Sequence, residues 1–304
     1  MSQKFYSNGK LLLTGEYAVL DGALSLAVPT KLGQSLLFST IDKRLLKWKS
    51  IDEKGKVWFQ ADFNTRTLEP IETDGNTLTI SNTLSKILQE TKKLNPIFLT
   101  EFKGYAIETR LDFPRNWGLG SSSTLINNIA QWAKVDPYQL LWNSFSGSGY
   151  DIACAANDTP ITYQLIKNKP TTIPIPFNPS FKDDIYFIHL NKKQNSREGI
   201  AHYRKGKFNK QLFIDEISKL TTEMSTCTSV NSFKELIKQH EQLVSKIIQL
   251  PTVKSIFFSD YNGAIKSLGA WGGDFIMAVG DKNTIAYFKE KGYHTILPYT
   301  EMVL

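Results

Sequence analysis

An α+β chain of two domains is predicted by three observations. The chain has 304 residues, 41% of them hydrophobic, enough for two ordinary cores. Residues 1–115 hold several runs rich in β-branched and aromatic residues, interrupted by one segment of helical period. From about residue 185 the strand and helix signals follow a β-α-α-β-β-α-β order, which suits a sheet with helices packed against it.

In chain order, KLLLTGEYAVL, SLLFST, VWFQADF, PIFLTEF and YAIETRLDF read as strands. In LTISNTLSKILQETKKL, Ile80, Leu84, Ile87 and Leu88 recur at helical spacing, and a turn at Asn95-Pro96 closes the segment. A helix is expected near 122–134. Another opens with Asp136 as N-cap and Pro137 in its first turn, and a third follows Gly149. KNKPTTIPIPFNPSFKDD, dense in proline and turn residues, reads as the crossing between domains, dividing 1–168 from 169–304. Beyond it come a strand in IYFIHL, a helix over 211–225, and a longer helix in SFKELIKQHEQLVSKIIQL. Phe233, Leu236, Ile237, His240, Leu243, Val244, Ile247 and Ile248 make one stripe on that longer helix. SIFFSDY, FIMAV and HTILPY read as strands, with a short helix before the last. No internal repeat is found.

Composition narrows the function classes. No window approaches a membrane span, and MSQKFYSNGK carries no apolar leader, so a cytoplasmic protein is expected, with no membrane partner. Cys154 and Cys227 match no zinc or redox spacing and read as packing residues. The four histidines form no metal motif, and His240, on the apolar face of its helix, reads as packing. The net charge of +7 is spread in short lysine-containing pieces without a nucleic-acid motif. A small anionic ligand fits that pattern, and nucleic acid is not expected.

The stretch FPRNWGLGSSSTLINNIAQWA carries the chemistry. Gly118 and Gly120 can adopt backbone angles closed to other residues and let a ligand lie against the main chain, while Ser121, Ser122 and Ser123 add hydroxyls. A helix starting at these serines would aim free N–H groups and its positive dipole end into the loop. Two readings are open on these residues alone: a phosphate cradle, or a serine-capped helix start. No Walker A sequence occurs, and GLGSSS lacks the last glycine of a dinucleotide fingerprint.

GLGSSS after Pro114 resembles the phosphate-binding second motif of the GHMP kinases. GKLLLTGEYAVLDG, from Gly9 to Gly22, resembles their first motif, and GAIKSLGAWGGDFIMAV, from Gly263 to Val279, their third. GSGYDIACAAND, from Gly147 to Asp158, is similar to the segment that carries the catalytic aspartate in mevalonate and phosphomevalonate kinases. The resemblance implies an N-terminal ATP-binding and catalytic domain like ribosomal protein S5 domain 2 and a ferredoxin-like C-terminal substrate domain. It implies Asp151 as the catalytic base with Lys10 beside it. ATP phosphates would rest on Gly118, Leu119, Gly120, Ser121, Ser122 and Ser123, and Mg²⁺ on Ser121 or Ser122. The acceptor would meet Glu16, Tyr17, Gly269, Ala270, Trp271 and Gly272. The implied reaction is ATP-dependent phosphorylation of a small anionic acceptor, phosphomevalonate or mevalonate. A sugar or homoserine kinase, a diphosphomevalonate decarboxylase and a non-catalytic homologue are its rivals.

Three positions depart from the pattern. Trp271 and Asp274 stand where the third motif has glycine, and the indole either stacks on a ligand or fills space a phosphate would use. Leu140 stands where mevalonate kinases carry a glutamate that helps hold Mg²⁺.

Overall fold

A computed structural model of the chain describes residues 2–71, 75, 77–100, 103–192, 196–269 and 271–304. It divides into two compact units. The first comprises Met1–Gly9, Leu32–Arg115 and Leu119–Ala156, and the second comprises Lys10–Lys31, Asn116–Gly118 and Asn157–Leu304.

Strands β1 (Ser2–Leu12) and β2 (Ser25–Ile41) pass from one unit into the other. The rest of the first unit is β3 (Leu45–Ile51), β4 (Val57–Asn64), α1 (Leu78–Leu94), β5 (Gly104–Leu111), α2 (Ser121–Ala133), α3 (Pro137–Ser144) and α4 (Tyr150–Ala155). Its strands run in the order β4-β3-β5-β2, with β3 and β5 parallel and the other pairs antiparallel. Alternation sorts the faces. Phe59, Ala61 and Phe63 of β4, Leu46 and Trp48 of β3, and Tyr105 and Ile107 of β5 enter the core. Lys47, Lys49, Gln60, Asp62 and Glu108 take the opposite face. Helix α1 buries Leu84, Ile87 and Leu88 in that core as its spacing requires, and α2 adds Ile126, Ile129 and Ala130. Asp136 caps α3, its Oδ1 accepting from the N–H groups of Tyr138 and Gln139 at 2.7 and 3.0 Å.

The second unit continues with the hairpin β6 (Ile161–Ile166) and β7 (Lys169–Pro174), joined to β2 through Ser25–Ala27. Then follow β8 (Ile185–His189), α5 (Ser196–Lys205), α6 (Lys210–Ser225), α7 (Val230–Ile248), α8 (Val253–Phe257), β9 (Ala264–Ser267), β10 (Phe275–Val279), α9 (Thr284–Glu290), β11 (Ile296–Pro298) and α10 (Tyr299–Met302). The sheet β11-β8-β10-β9 is antiparallel throughout. Its strands, numbered by their own order in the chain, stand 4-1-3-2, the ferredoxin-like arrangement of the expected α+β fold. Among the described residues no helix is long and apolar enough to cross a membrane.

Some local expectations differ. The first strand starts at Ser2 and stops at Leu12. Gly15 and Tyr17 then take left-handed backbone angles, and Ala18–Asp21 forms a short 3-10 turn instead of continuing as strand. In PIFLTEF, residues 96–100 turn, burying Phe98 and Leu99 without pairing, and 101–102 lie outside the described residues. SIFFSDY contributes helix α8, because Thr252 caps it by accepting from Ser255 N–H at 3.2 Å. The proline-rich stretch forms β7, where Pro170 and Pro174 are tolerated on a sheet edge. The unexpected strand β3 and helix α5 come from lysine- and arginine-rich segments whose polar face masks the apolar period.

Candidate active site

In the first unit, α2 starts directly after Gly120, which serves as N-cap in a left-handed conformation at φ 92° with no side chain capping the helix. Of the two sequence readings, the serine-capped start is therefore not the one observed. Ser123 is buried, and its hydroxyl donates to Gly120 O at 2.8 Å, so it shapes the loop from behind. Leu119 is buried in the unit and can offer a ligand only its backbone. Ser121 is half-buried and Ser122 exposed, so their hydroxyls are the accessible ones. Behind them Thr124 donates to Gln34 Oε1 at 2.7 Å, Asn127 to Ser7 Oγ at 2.9 Å, and Asn128 to Gln34 O at 2.9 Å. Asp151 lies half-buried in the first turn of α4. Leu140 is fully buried in this unit's core and cannot ligate anything.

The second unit holds the front of the same loop. Lys10 donates from Nζ to Gly118 O at 2.8 Å, joining the first and second motifs. Trp117 packs edge-on against Phe275 at 5.3 Å between ring centroids. Asp274, of the third motif, lies against the Cα of Gly118: a Cβ there would fall 2.3 Å from Asp274 Oδ2 and 2.6 Å from its Cγ. Gly118 has φ 66°, so both its angle and its neighbour require glycine.

Glu16 lies 1% exposed in a buried ionic cluster. Lys266 Nζ donates to Glu16 Oε1 and lies 3.0 Å from Glu241 Oε1, with its own side chain fully buried. Glu241 also accepts from Ser267 N–H at 3.1 Å and Ser267 Oγ at 2.9 Å. His240 Nε2 accepts from Gly15 N–H at 3.1 Å, which leaves the ring proton on Nδ1. Burial pushes Glu16 up to about 7 against the pull of Lys266, and also raises Glu241. His240 is held well below its ordinary value by burial and by Lys266, so it stays neutral. The two carboxylates outweigh burial at Lys266 and raise its pKa.

Tyr17 Oη accepts from Trp271 N–H at 3.3 Å, and burial pushes the phenol up to about 12. The Trp271 indole is 6% exposed, packed with Tyr17, Tyr203 and Phe213, and donates from Nε1 to Pro251 O at 2.9 Å. Gly269 and Gly272 have positive φ and open space where a side chain would start. Ala270 lies outside the described residues.

Lys266 and Glu241 are absent from the sequence prediction. Lys266 stood inside the quoted third motif, where its charge was a usable signal. Glu241 sits one step off the stripe of α7, where a carboxylate ordinarily faces solvent.

Gly118 and Gly120 both hold positive φ, and the accessible hydroxyls of this stretch are those of Ser121 and Ser122. Among the described residues no group of three His, Cys, Asp or Glu side chains forms a metal cage.

No family model and no curated protein matches this sequence. Solved structures match in fold. The mevalonate kinase of Methanococcus jannaschii does so with TM-score 0.68 and 16% identity, over 98% of this chain and 97% of that one. Streptococcus pneumoniae phosphomevalonate kinase in complex with phosphomevalonate and AMPPNP has TM-score 0.66 and 15% identity, covering 95% of each chain. Lactococcus lactis galactokinase complexed with galactose has TM-score 0.67 and 15% identity, over 95% of this chain and 88% of that one.

Proposed function

We propose that this chain, which has the two-domain GHMP kinase fold, is an ATP-dependent kinase of a small anionic acceptor, phosphomevalonate or mevalonate. The observation that carries the reading is Gly118, pinned by Lys10 in a loop that leads through left-handed Gly120 into the uncapped start of α2. Phosphoryl transfer asks a protein mainly to align the acceptor and neutralise charge. The backbone from Gly118 to Ser122 cradles the phosphates, and Asp151 accepts the proton of the acceptor hydroxyl. Lys10 places a positive charge on the loop. Ser121 or Ser122 would hold Mg²⁺, which when bound draws charge from the phosphoryl oxygens. Gly269 and Gly272 would shape the acceptor side, with Glu16, Tyr17 and Trp271 supporting it from buried positions.

The test is ADP release from Mg-ATP with mevalonate, phosphomevalonate, diphosphomevalonate, homoserine and galactose offered separately. ADP formation dependent on one of the first two is expected, with a loss of at least about 10²-fold in kcat for Asp151→Asn. Turnover only with homoserine or galactose would move the acceptor elsewhere within the fold, and carbon dioxide release from diphosphomevalonate would make the protein a decarboxylase. One observation favours a second reading, a ligand-binding homologue without turnover: the Asp274 carboxylate on Gly118. Nucleotide binding with no acceptor-dependent ADP would establish it.

A further inference from the structure

We infer that the cavity between α7 and α8 is a second ligand site of this chain, one that takes a small phosphorylated molecule on Lys234, Lys238 and Lys254. The cavity measures about 720 Å³ and is lined from the second unit alone, by α7, α8 and the turn that leads into β9. Small-molecule pockets span about 300–1,000 Å³, and this one falls within that range. The inference is independent of the kinase reading and uses none of the residues assigned to it.

Helical spacing and one cap bring the three ammonium groups together. Lys234 and Lys238 stand four residues apart on α7, so both face the cavity, although like charges at that spacing disfavour a helix. Lys254 enters from α8, which Thr252 caps; it is half-buried, and its Nζ donates to Gly263 O at 2.5 Å. Burial and the positive charge of Lys238 both hold Lys254 below its ordinary pKa. Two cations kept close in a partly buried recess cost free energy that a bound anion relieves.

The carboxylates that line the cavity leave this charge in place. Glu235 Oε2 lies 3.6 Å from Lys238 Nζ, but both side chains are more than half exposed, so water screens the pair. Glu241, 3% exposed, accepts from Ser267 N–H and Oγ and lies 3.0 Å from the buried ammonium of Lys266, so its charge is met from inside the protein. Ser259 and Asn262 add a hydroxyl and an amide to the lining. Lysine meets phosphate as a compact point charge, and three such charges beside neutral donors suit a phosphoryl group better than a lone carboxylate.

The experiment is calorimetric titration of the full chain with inorganic pyrophosphate and with glycerol 3-phosphate. It compares the wild type, Lys254→Gln, the double variant Lys234→Gln/Lys238→Gln, and Lys219→Gln, which removes one exposed charge from α6 as a control. The double variant touches no bond within the core, so it keeps the fold even if loss of the Lys254 bond to Gly263 does not; circular dichroism checks each protein. The wild type should bind at least one probe saturably. Both cavity variants should lose about tenfold or more of that affinity, the effect of removing a charged donor, while the control stays within about twofold. Unchanged affinity in the folded cavity variants places the anion elsewhere, the glycine loop included, and overturns the inference. An equal loss in Lys219→Gln reduces the effect to net charge and overturns it as well, as does the absence of saturable binding for both probes. The kinase reading stands or falls separately, on ADP release.

Discussion

Helices α2 and α7 each turn a polar buried face toward their own unit, and they satisfy it in opposite ways. Behind the glycine loop, α2 uses neutral groups: Thr124, Asn127 and Asn128 bond to Ser7 and Gln34 at 2.7–2.9 Å. Behind the first and third motifs, α7 uses charge: His240 and Glu241 meet Glu16 and Lys266, all 3% exposed or less. The neutral network closes on itself. In the ionic one Glu16 Oε2 and His240 Nδ1 have no hydrogen-bond partner among the described residues. Neutral pairs hold a backbone shape at any ordinary pH, whereas buried charges hold one only while every partner keeps its protonation state.

The largest expected effect would break the ionic side. Lys266→Met leaves two buried carboxylates without their shared cation and should lower stability by about 3–5 kcal/mol, read as a drop in urea midpoint. A loss below about 1 kcal/mol would show that the carboxyls simply protonate and that charge is not what holds this face.

The pH dependence sharpens the contrast next. Glu16 has a folded pKa of about 7, above the ordinary carboxylate value of 4.5, so its contribution is fully present below the unfolded pKa and lost as pH rises through 7. The stability of the wild type relative to Glu16→Gln should therefore fall between about pH 5 and 8, by up to about 1.4 kcal/mol per unit. His240 and Glu241 are common to both proteins, so their titrations largely cancel in the difference. A flat difference across that window would place Glu16 as a permanently ionised partner of Lys266.

On the neutral side, Asn128→Leu strands the Gln34 carbonyl and the Ser7 hydroxyl and should cost about 1–3 kcal/mol, the same at pH 5 and pH 8. A pH-dependent cost would abolish the distinction drawn between the helices. Smallest is Thr124→Val, which keeps shape and removes one bond to Gln34. We expect about 1 kcal/mol by thermal melt, together with weaker nucleotide binding if the start of α2 cradles phosphate.

Much of this was legible in one dimension. The stripe of α1, the Asp136 cap, the Gly118 and Gly120 positions and the strands in IYFIHL, FIMAV and HTILPY follow from periods and residue types that act locally. Segments with a mixed local signal were harder. SIFFSDY looks like a strand by its aromatic content until Thr252 caps it into a turn of helix, and KPTTIP looks like a linker until β6 offers it an edge. Trp271, left open between a ligand contact and a filler, is enclosed with Tyr17 and Tyr203, and its indole N–H is spent on Pro251.

By itself the sequence determined the α+β class, many of its helices and strands and the loop with glycine backbone freedom, because glycine conformation, capping and hydrophobic period depend on neighbours a few residues apart. Only the tertiary structure decided that Glu16 is a buried partner of Lys266, 250 residues away, that Glu241 faces inward, and that Asp274 rests on Gly118. The charge state and chemical use of a carboxylate depend on which groups surround it in space, and that information is absent until the chain has folded.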